Sequence, residues 1–470
     1  MPSFSGYKAM VEAMKKLFGT DGVRWIVDKT NPEFALRLAM AIASYFPSGA
    51  RALVGRDGRV GNNSIYNIVI GGLIAGGSKV YDASLIPTPA LQYLVKALGF
   101  DYGVVVTASH NPPEWVGVKL VLNDGIEAPP NVEREVEAIF FESRFRNVPW
   151  NEMRPVEKIE GAIDIYIKSV KEHIDADKIK MRRLKVVVDC ANSVSALTTP
   201  RLLKELGIKT LTLNADIGVP YRPYEPAEEN LEDLMKVVKA VGADFGVAHD
   251  GDGDRAVFVD NNGNYVQGDV SAVVLTQYVA EKHPNLPKRV VTSIATSYLM
   301  LEKSLVSRGI EVIWTRVGFL HIARKIMELG GALSGFEDNG GFAYVIHQPV
   351  RDGTMSAALM AELLASSNTT LSQLVEGIPR PYMLRSKMPV SSREEGALIV
   401  EELKKRYSGH RVVDIDGIRV FMDDVVFLVR PSGTEPIIRI FVEAWEKTEG
   451  EKMFNELVKQ IEEIREGVRK

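Results

Sequence analysis

The sequence predicts an α/β fold: three similar α/β domains with mixed, largely parallel sheets, followed by a C-terminal α+β domain. Three observations predict it. At 470 residues the chain exceeds what one hydrophobic core holds, so its length suggests roughly three or four domains of ordinary size. Three stretches repeat one grammar of strand, helix, short strand after a glycine, second helix and a further strand whose end carries unusual polar residues. Beyond about residue 377 that grammar gives way to short apolar segments and one closing amphipathic helix.

In the first unit Ala52-Leu53-Val54 opens, Gly77-Ser78-Lys79-Val80-Tyr81 follows, and Gly103-Val104-Val105-Val106 leads to Ser109. The second opens at Leu184-Lys185-Val186-Val187-Val188, passes Gly207-Ile208-Lys209-Thr210-Leu211, and reaches Phe245-Gly246-Val247-Ala248 before Asp250. The third opens at Arg289-Val290-Val291-Thr292, passes Gly309-Ile310-Glu311-Val312-Ile313, and ends at Ala332-Leu333-Ser334-Gly335 before Glu337. Strands alternating with helical stretches of this length build parallel sheets, and such sheets bind ligands at the carboxyl ends of their strands. In the last part, residues 411–415, 418–422, 425–429 and 437–442 read as a small antiparallel sheet, and 446–468 as the closing helix. The expected domains are 1–155, 156–265, 266–377 and 378–470.

Composition narrows the function. Hydrophobic residues make up 46% and charged residues 25%, the balance of a soluble globular chain. The net charge of −4 argues against bulk nucleic-acid binding, so a site for an acidic ligand has to be a local cluster of Arg and Lys. The longest apolar run, residues 68–77, is about half of the ~20 residues a membrane-spanning helix needs. Residues 1–16 lack an apolar core of the secretory type, and Cys190 is the only cysteine, which excludes intrachain disulfides and zinc ribbons; a reducing cytoplasm is the expected setting.

Four loops carry the chemistry. Val104-Val105-Val106-Thr107-Ala108-Ser109-His110-Asn111-Pro112-Pro113 reads as a buried strand halted by two prolines, which hold Ser109 on a rigid loop at the strand's end, although taken alone an ordinary Asn-Pro turn is the plainer explanation. Asp250-Gly251-Asp252-Gly253-Asp254-Arg255 sets three carboxylates at alternate positions, with glycines that permit a tight curl around one hard cation, Mg²⁺ above all. An EF-hand is excluded, because Arg255 and Asn261 stand where that loop wants Gly and Glu. The string Gly251-x-Gly253-x-x-Ala256 satisfies a loose dinucleotide fingerprint, yet three aspartates would repel the pyrophosphate; a solvated acidic turn is the plainer alternative. Arg430-Pro431-Ser432-Gly433-Thr434-Glu435-Pro436 offers backbone N–H groups, two hydroxyls and a guanidinium to an anion, although an ordinary hairpin turn explains Pro-Ser-Gly equally well. Gly335-Phe336-Glu337-Asp338-Asn339-Gly340-Gly341 suits the reading of sugar hydroxyls, or is equally a plain turn with surface charges. Leu17-Phe18-Gly19-Thr20-Asp21-Gly22-Val23-Arg24 and Gly55-Arg56-Asp57-Gly58-Arg59 add arginines, either to a site or to plain turns.

Taken together and in this order, these motifs resemble the α-D-phosphohexomutase superfamily, the phosphoglucomutases and phosphomannomutases, over nearly the whole chain. The resemblance implies four domains around a central cleft and an intramolecular phosphotransferase that interconverts the 1- and 6-phosphates of glucose or mannose. It implies a phosphoserine at Ser109, a Mg²⁺ held by that phosphoserine with Asp250, Asp252 and Asp254, and a sugar 1,6-bisphosphate as intermediate and activator. Lys119 matches the family's general acid/base, and His110, Arg255 and Arg24 its supporting catalytic groups. Substrate contacts carry over to Glu337, Asn339, Gly318, Arg430, Ser432, Gly433, Thr434 and Arg439. The partners it implies are sugar phosphates, with neither nucleic acid nor membrane, for a monomer or homo-oligomer. Trp25, Gly58 and Val116 depart from the usual pattern without removing a metal ligand, while Asn339 and Gly341 stand where many bacterial members have serine and histidine and leave the sugar preference open. Phosphoglucosamine mutase and phosphopentomutase are the close alternatives; a Mg²⁺-dependent sugar phosphatase and a catalytically silent binding protein are the more distant ones, the latter disfavoured by the intact Ser109, aspartates and Lys119.

Overall fold

The computed structural model describes residues 16–432 and 436–468. The chain forms two compact units, one of Met1–Ser271 with Asn339–Gln373, the other of Ala272–Asp338 with Leu374–Lys470.

The first unit contains two mixed sheets. One takes the order β1 (Val23–Ile26), β5 (Trp115–Leu122), β4 (Tyr102–Val106), β2 (Arg51–Arg56), β3 (Lys79–Leu85), β6 (Glu157–Lys158). Here β2 pairs in parallel with β3 and β4, and β3 with β6, whereas β5 runs antiparallel to both β4 and β1. All five residues of β4 are buried, which is why it reads as an unbroken apolar run. One face is covered by the helices Glu33–Tyr45, Asn62–Ala75 and Pro130–Phe141, whose apolar stripes meet around Phe34, edge-on to Trp25 at 5.0 Å and to Phe140 at 5.4 Å. The second sheet takes the order β11 (Tyr265–Val266), β10 (Val257–Val259), β9 (Phe245–Ala248), β7 (Lys185–Asp189), β8 (Lys209–Leu213), with β7 parallel to β8 and β9, and β10 antiparallel to β9 and β11. Strands β1, β5, β10 and β11 extend the repeated grammar with antiparallel partners that it did not predict. In both of these sheets the repeat's last parallel strand therefore turns back into an antiparallel one, and the turn carries the motif. The segment returning at Asn339 adds β15 (Phe342–Tyr344) and the helix Gly353–Ser366.

In the second unit β12 (Arg289–Ser293) lies between β13 (Glu311–Thr315) and β14 (Ser334–Phe336), parallel to both. The C-terminal sheet is antiparallel throughout, in the order β16 (Tyr382–Pro389), β20 (Ile437–Ala444), β19 (Val425–Pro431), β18 (Ile418–Phe421), β17 (Arg411–Val413). It has five strands where four segments predict four. One face packs Val429, Ile438, Ile440 and Val442 against Ile399 and Leu403 of the helix Arg393–Arg406 and Leu457 and Ile461 of Lys447–Val468. Among the described residues no helix is long and apolar enough to cross a membrane.

Candidate active site

The Ser109 loop is the corner between β4 and antiparallel β5. Thr107 N–H donates to the Gly117 carbonyl at 3.0 Å and closes the ladder, after which Ser109 adopts a left-handed backbone, φ +50°. The strain is held by Ser109 N–H on Thr107 Oγ1 (2.9 Å), Asn111 N–H on the Ala108 carbonyl (3.0 Å) and Trp115 N–H on the Pro112 carbonyl (3.1 Å). Arg59 clamps the loop from below. Only 1% exposed, it donates to the carbonyls of Pro112 (2.6 Å), Asn111 (2.7 Å) and Ser109, pairs with Asp57 at 3.1 Å, and lies 4.1 Å from the centre of the Tyr224 ring. Asp57 in turn accepts from Thr107 Oγ1 at 2.7 Å and Asn62 at 2.5 Å. An arginine spreading its fork over three carbonyls fixes a loop as a lysine could not.

The triad loop is the matching corner between β9 and β10. Gly253, at φ +71°, makes the curl, and Gly251 lets the two loops touch, since a Cβ there would stand 2.5 Å from the Ser109 carbonyl oxygen. Asp250, Asp252 and Asp254 are all buried, and each offers a carboxylate oxygen within 4.8 Å of the others. Ser109 Oγ donates to Asp250 Oδ2 at 2.8 Å. Asp252 Oδ1 and Asp254 Oδ1 are buried without a hydrogen-bond partner, an arrangement that fits a hard divalent cation and little else. The electrostatics agree. Burial and the charges of Asp254 and Asp252 push the Asp250 carboxyl well up, whereas at Asp252 burial is outweighed by Lys119, which holds it low.

Lys119 stands on β5 opposite Val105 and is 1% exposed. Its ammonium lies 3.0 Å from Asp252, 3.1 Å from Asp254, 3.2 Å from Asp21 and 3.8 Å from Glu127. Burial would discharge it, but Asp21, Asp252 and Asp254 keep it protonated, well above the ordinary lysine range. The Glu127 carboxyl is pushed up to about 8 by burial and by Asp21. Arg24 donates to Asn111 Oδ1 at 2.8 Å and to Asp21 at 2.6 Å. Arg255 donates to His110 Nδ1 at 2.9 Å and to both oxygens of Glu225, at 3.0 and 3.2 Å. Burial, then the charges of Arg255 and Arg24, hold the His110 imidazole down to about 2, so it is neutral. Ser109 Oγ lies 3.3 Å from the same Nδ1 that meets Arg255.

Glu127, Glu225 and Arg351 escaped the sequence reading. Arg351, between β15 and the helix Gly353–Ser366, contacts Asp254 through Nε and Asp21 through Nη2, both at 2.9 Å. Its neighbour Asp352 caps that helix by accepting from Met355 N–H at 2.9 Å, and also takes Tyr166 Oη at 2.5 Å. The available signal was Arg-Asp-Gly immediately before a helix of small residues.

In the second unit Gly318 N–H donates to Glu337 Oε1 at 3.0 Å. Arg430 and Arg439 line a pocket of about 280 Å³ together with Arg385, Lys387, Asp338 and Phe441. Ser432 is buried and its N–H donates to the Ile437 carbonyl at 2.8 Å; Gly433 and Thr434 lie outside the described residues. Asn339 belongs to the first unit, where its side chain accepts from Gly341 N–H at 3.1 Å. The first unit thus gathers Ser109, His110, Lys119, Arg24, Arg255 and the triad, and the second gathers Glu337, Gly318, Arg430, Ser432 and Arg439.

Four family models match in succession: phosphoglucomutase/phosphomannomutase alpha/beta/alpha domains I, II and III over residues 15–147, 164–263 and 267–382, and the C-terminal domain over 386–460. The chain belongs to this family, within the α-D-phosphohexomutase superfamily, and is a mutase of that family. It is 43% identical to a phosphoglucosamine/phosphogalactosamine mutase of Sulfurisphaera tokodaii, over 96% of this chain and 100% of that one. It is 40% identical to a phosphoglucomutase/phosphomannomutase of Thermococcus kodakarensis, over 97% and 100%. Among solved structures it resembles a phosphoglucomutase/phosphomannomutase family protein of Burkholderia thailandensis, with a TM-score of 0.84, 25% identity, and coverage of 96% and 97%.

Proposed function

We propose that the protein interconverts the 1- and 6-phosphates of hexoses through a phosphorylated Ser109 and a hexose 1,6-bisphosphate. The observation that carries this is the buried Ser109 Oγ, 2.8 Å from the first carboxylate of a cation-ready triad. In the first half-reaction the free hydroxyl of the hexose monophosphate attacks the phosphorus on Ser109. A sugar O–P bond forms, the Oγ–P bond breaks, and the hydroxyl's proton ends on Ser109 Oγ. Lys119 is the group we assign to that proton transfer; Arg24 and Arg255 hold the loop and steady its charge. Mg²⁺ on Asp250, Asp252 and Asp254 would neutralise charge on the transferring phosphoryl group. The bisphosphate then turns around, and the same steps run backwards on its other phosphate, leaving the positional isomer. Glu337 and Asn339 are assigned to the sugar hydroxyls, and Gly318, Arg430, Ser432, Gly433, Thr434 and Arg439 to the phosphate that is not reacting.

A second reading, with glucosamine phosphate as substrate, is favoured by the 43% identical relative and by Asp338, a carboxylate in the pocket lining that could meet an ammonium group on C2. A coupled assay on the 1-phosphates of glucose, mannose, glucosamine and ribose, with free phosphate measured in parallel, separates these readings from one another and from a phosphatase. Ser109→Ala tests the relay. Binding of the hexose phosphate should survive while turnover falls by about 10³-fold or more. Intact-mass measurement should show one phosphate on part of the wild-type population and none on the variant. Near wild-type isomerisation by the variant would remove Ser109 from the mechanism.

A further inference from the structure

The C-terminal sheet contains an arrangement that folding alone disfavours. In its register Lys387 of β16 stands opposite Arg439 of β20, and Arg439 opposite Arg430 of β19. Three cations therefore share one cross-strand row, with neighbouring Cβ atoms separated by roughly 5 Å, and like charges directly opposed in a sheet are destabilising. The row is on the face turned away from the apolar core, since Ile438, Ile440 and Val429, the alternate residues of the same strands, point into that core. On the row's own face, Arg385 follows Lys387 along β16 and Phe441 follows Arg439 along β20.

The carboxylates nearby compensate the row only in part. Arg430 pairs with Asp416 at 3.0 Å and Arg385 with Asp338 at 3.1 Å. Lys387 is exposed and makes no ion pair among the described residues. Arg385, Lys387, Arg430 and Arg439 all line the 280 Å³ pocket, with Asp338 as the one carboxylate among its described lining residues. Burial, and the charge of Arg439, lower the Arg430 guanidinium below its ordinary range, even though Asp416 and Glu337 oppose the shift.

We propose that Lys387 is a substrate-binding residue: as the third cation of this row it contacts the phosphate monoester that does not react in a given half-reaction. The inference rests on the reading of the protein as a sugar-phosphate mutase. A phosphate dianion is the ligand that relieves the row, because its oxygens accept from several donors at once and its double charge answers the surplus. The lysine supplies a mobile point charge from β16, while Arg430, tethered to Asp416, supplies a fixed fork.

The test is Lys387→Met beside Lys387→Arg. In low-salt buffer free of phosphate, Lys387→Met should melt higher than the wild type, because one of three repelling charges is gone. Inorganic phosphate should stabilise it less than it stabilises the wild type. KM for the hexose phosphate should rise about ten-fold with kcat within about two-fold, the pattern of lost ground-state and transition-state binding in equal measure. Lys387→Arg should restore the wild-type KM. A Lys387→Met protein with unchanged KM and unchanged response to phosphate overturns the proposal, even if the wild type isomerises hexose phosphates well. Failure of the wild type to isomerise any hexose phosphate sinks the mutase reading instead, and the loss of phosphate stabilisation in Lys387→Met still reads the anion contact by itself.

Discussion

His249 immediately precedes the triad, fully buried, with Nδ1–H donating to the Arg255 carbonyl at 2.7 Å and Nε2 without a partner. Burial lowers its imidazole to about 4, and the bond to the carbonyl only partly offsets this. Between pH 6.5 and 4 the unfolded chain therefore binds a proton that the folded chain refuses. The stabilisation is fully present above 6.5 and is lost as the pH falls towards 4, at up to about 1.4 kcal/mol per pH unit from this one group. Urea unfolding of the metal-free protein at pH 7, 6 and 5 should show that slope, and His249→Asn, whose amide can still donate to the carbonyl, should flatten it. Parallel wild-type and variant profiles would refute the assignment. At this scale the sequence exposed the residues that break a local pattern: Ser109 before two prolines and three aspartates separated by glycines both interrupt apolar strands. It did not expose the roles of Arg59 and Arg351. Arg59 acts on carbonyls some 50 residues away, and Arg351 meets Asp21 across 330, so no local spacing betrays either.

Glycines separate two kinds of element contact. Gly71, exposed on the helix Asn62–Ala75, has nothing within 4 Å of where a Cβ would go, and Gly71→Ala should raise stability by about 0.5–1 kcal/mol through helix propensity. Gly251 has the Ser109 carbonyl at 2.5 Å, so Gly251→Ala must push the serine and triad loops apart. The variant should lose about 1–3 kcal/mol of stability, with cation affinity and turnover dropping by about ten-fold or more. A Gly251→Ala protein as active as the wild type would mean that the loops need not touch. The central parallel strands were legible because burial on both faces demands continuous apolar runs. The antiparallel additions were not: β10 and β11 are three and two residues long, and β16 is half-exposed along its length, which erases the apolar signature while leaving it fully hydrogen-bonded to β20.

The cation-ready triad belongs wholly to the first unit and the cationic pocket wholly to the second. Calorimetry should accordingly resolve two transitions, with Mg²⁺ raising one midpoint and inorganic phosphate the other, each by mass action on the unit that binds it. One transition shifted equally by both ligands would contradict this. Four domains were legible as a resemblance; the two-unit division was not, because it depends on where a returning segment docks. That segment has a consequence in the order of synthesis. Translation delivers Ser109, Lys119 and the three aspartates before the second unit is begun, yet Arg351 and the Asp352 helix cap come only after the ribosome has read past Asp338. A nascent chain therefore carries the triad short of one counter-charge from the synthesis of Asp254 until Arg351 is added, and its first-made unit cannot reach its final packing until Gln373 has been translated.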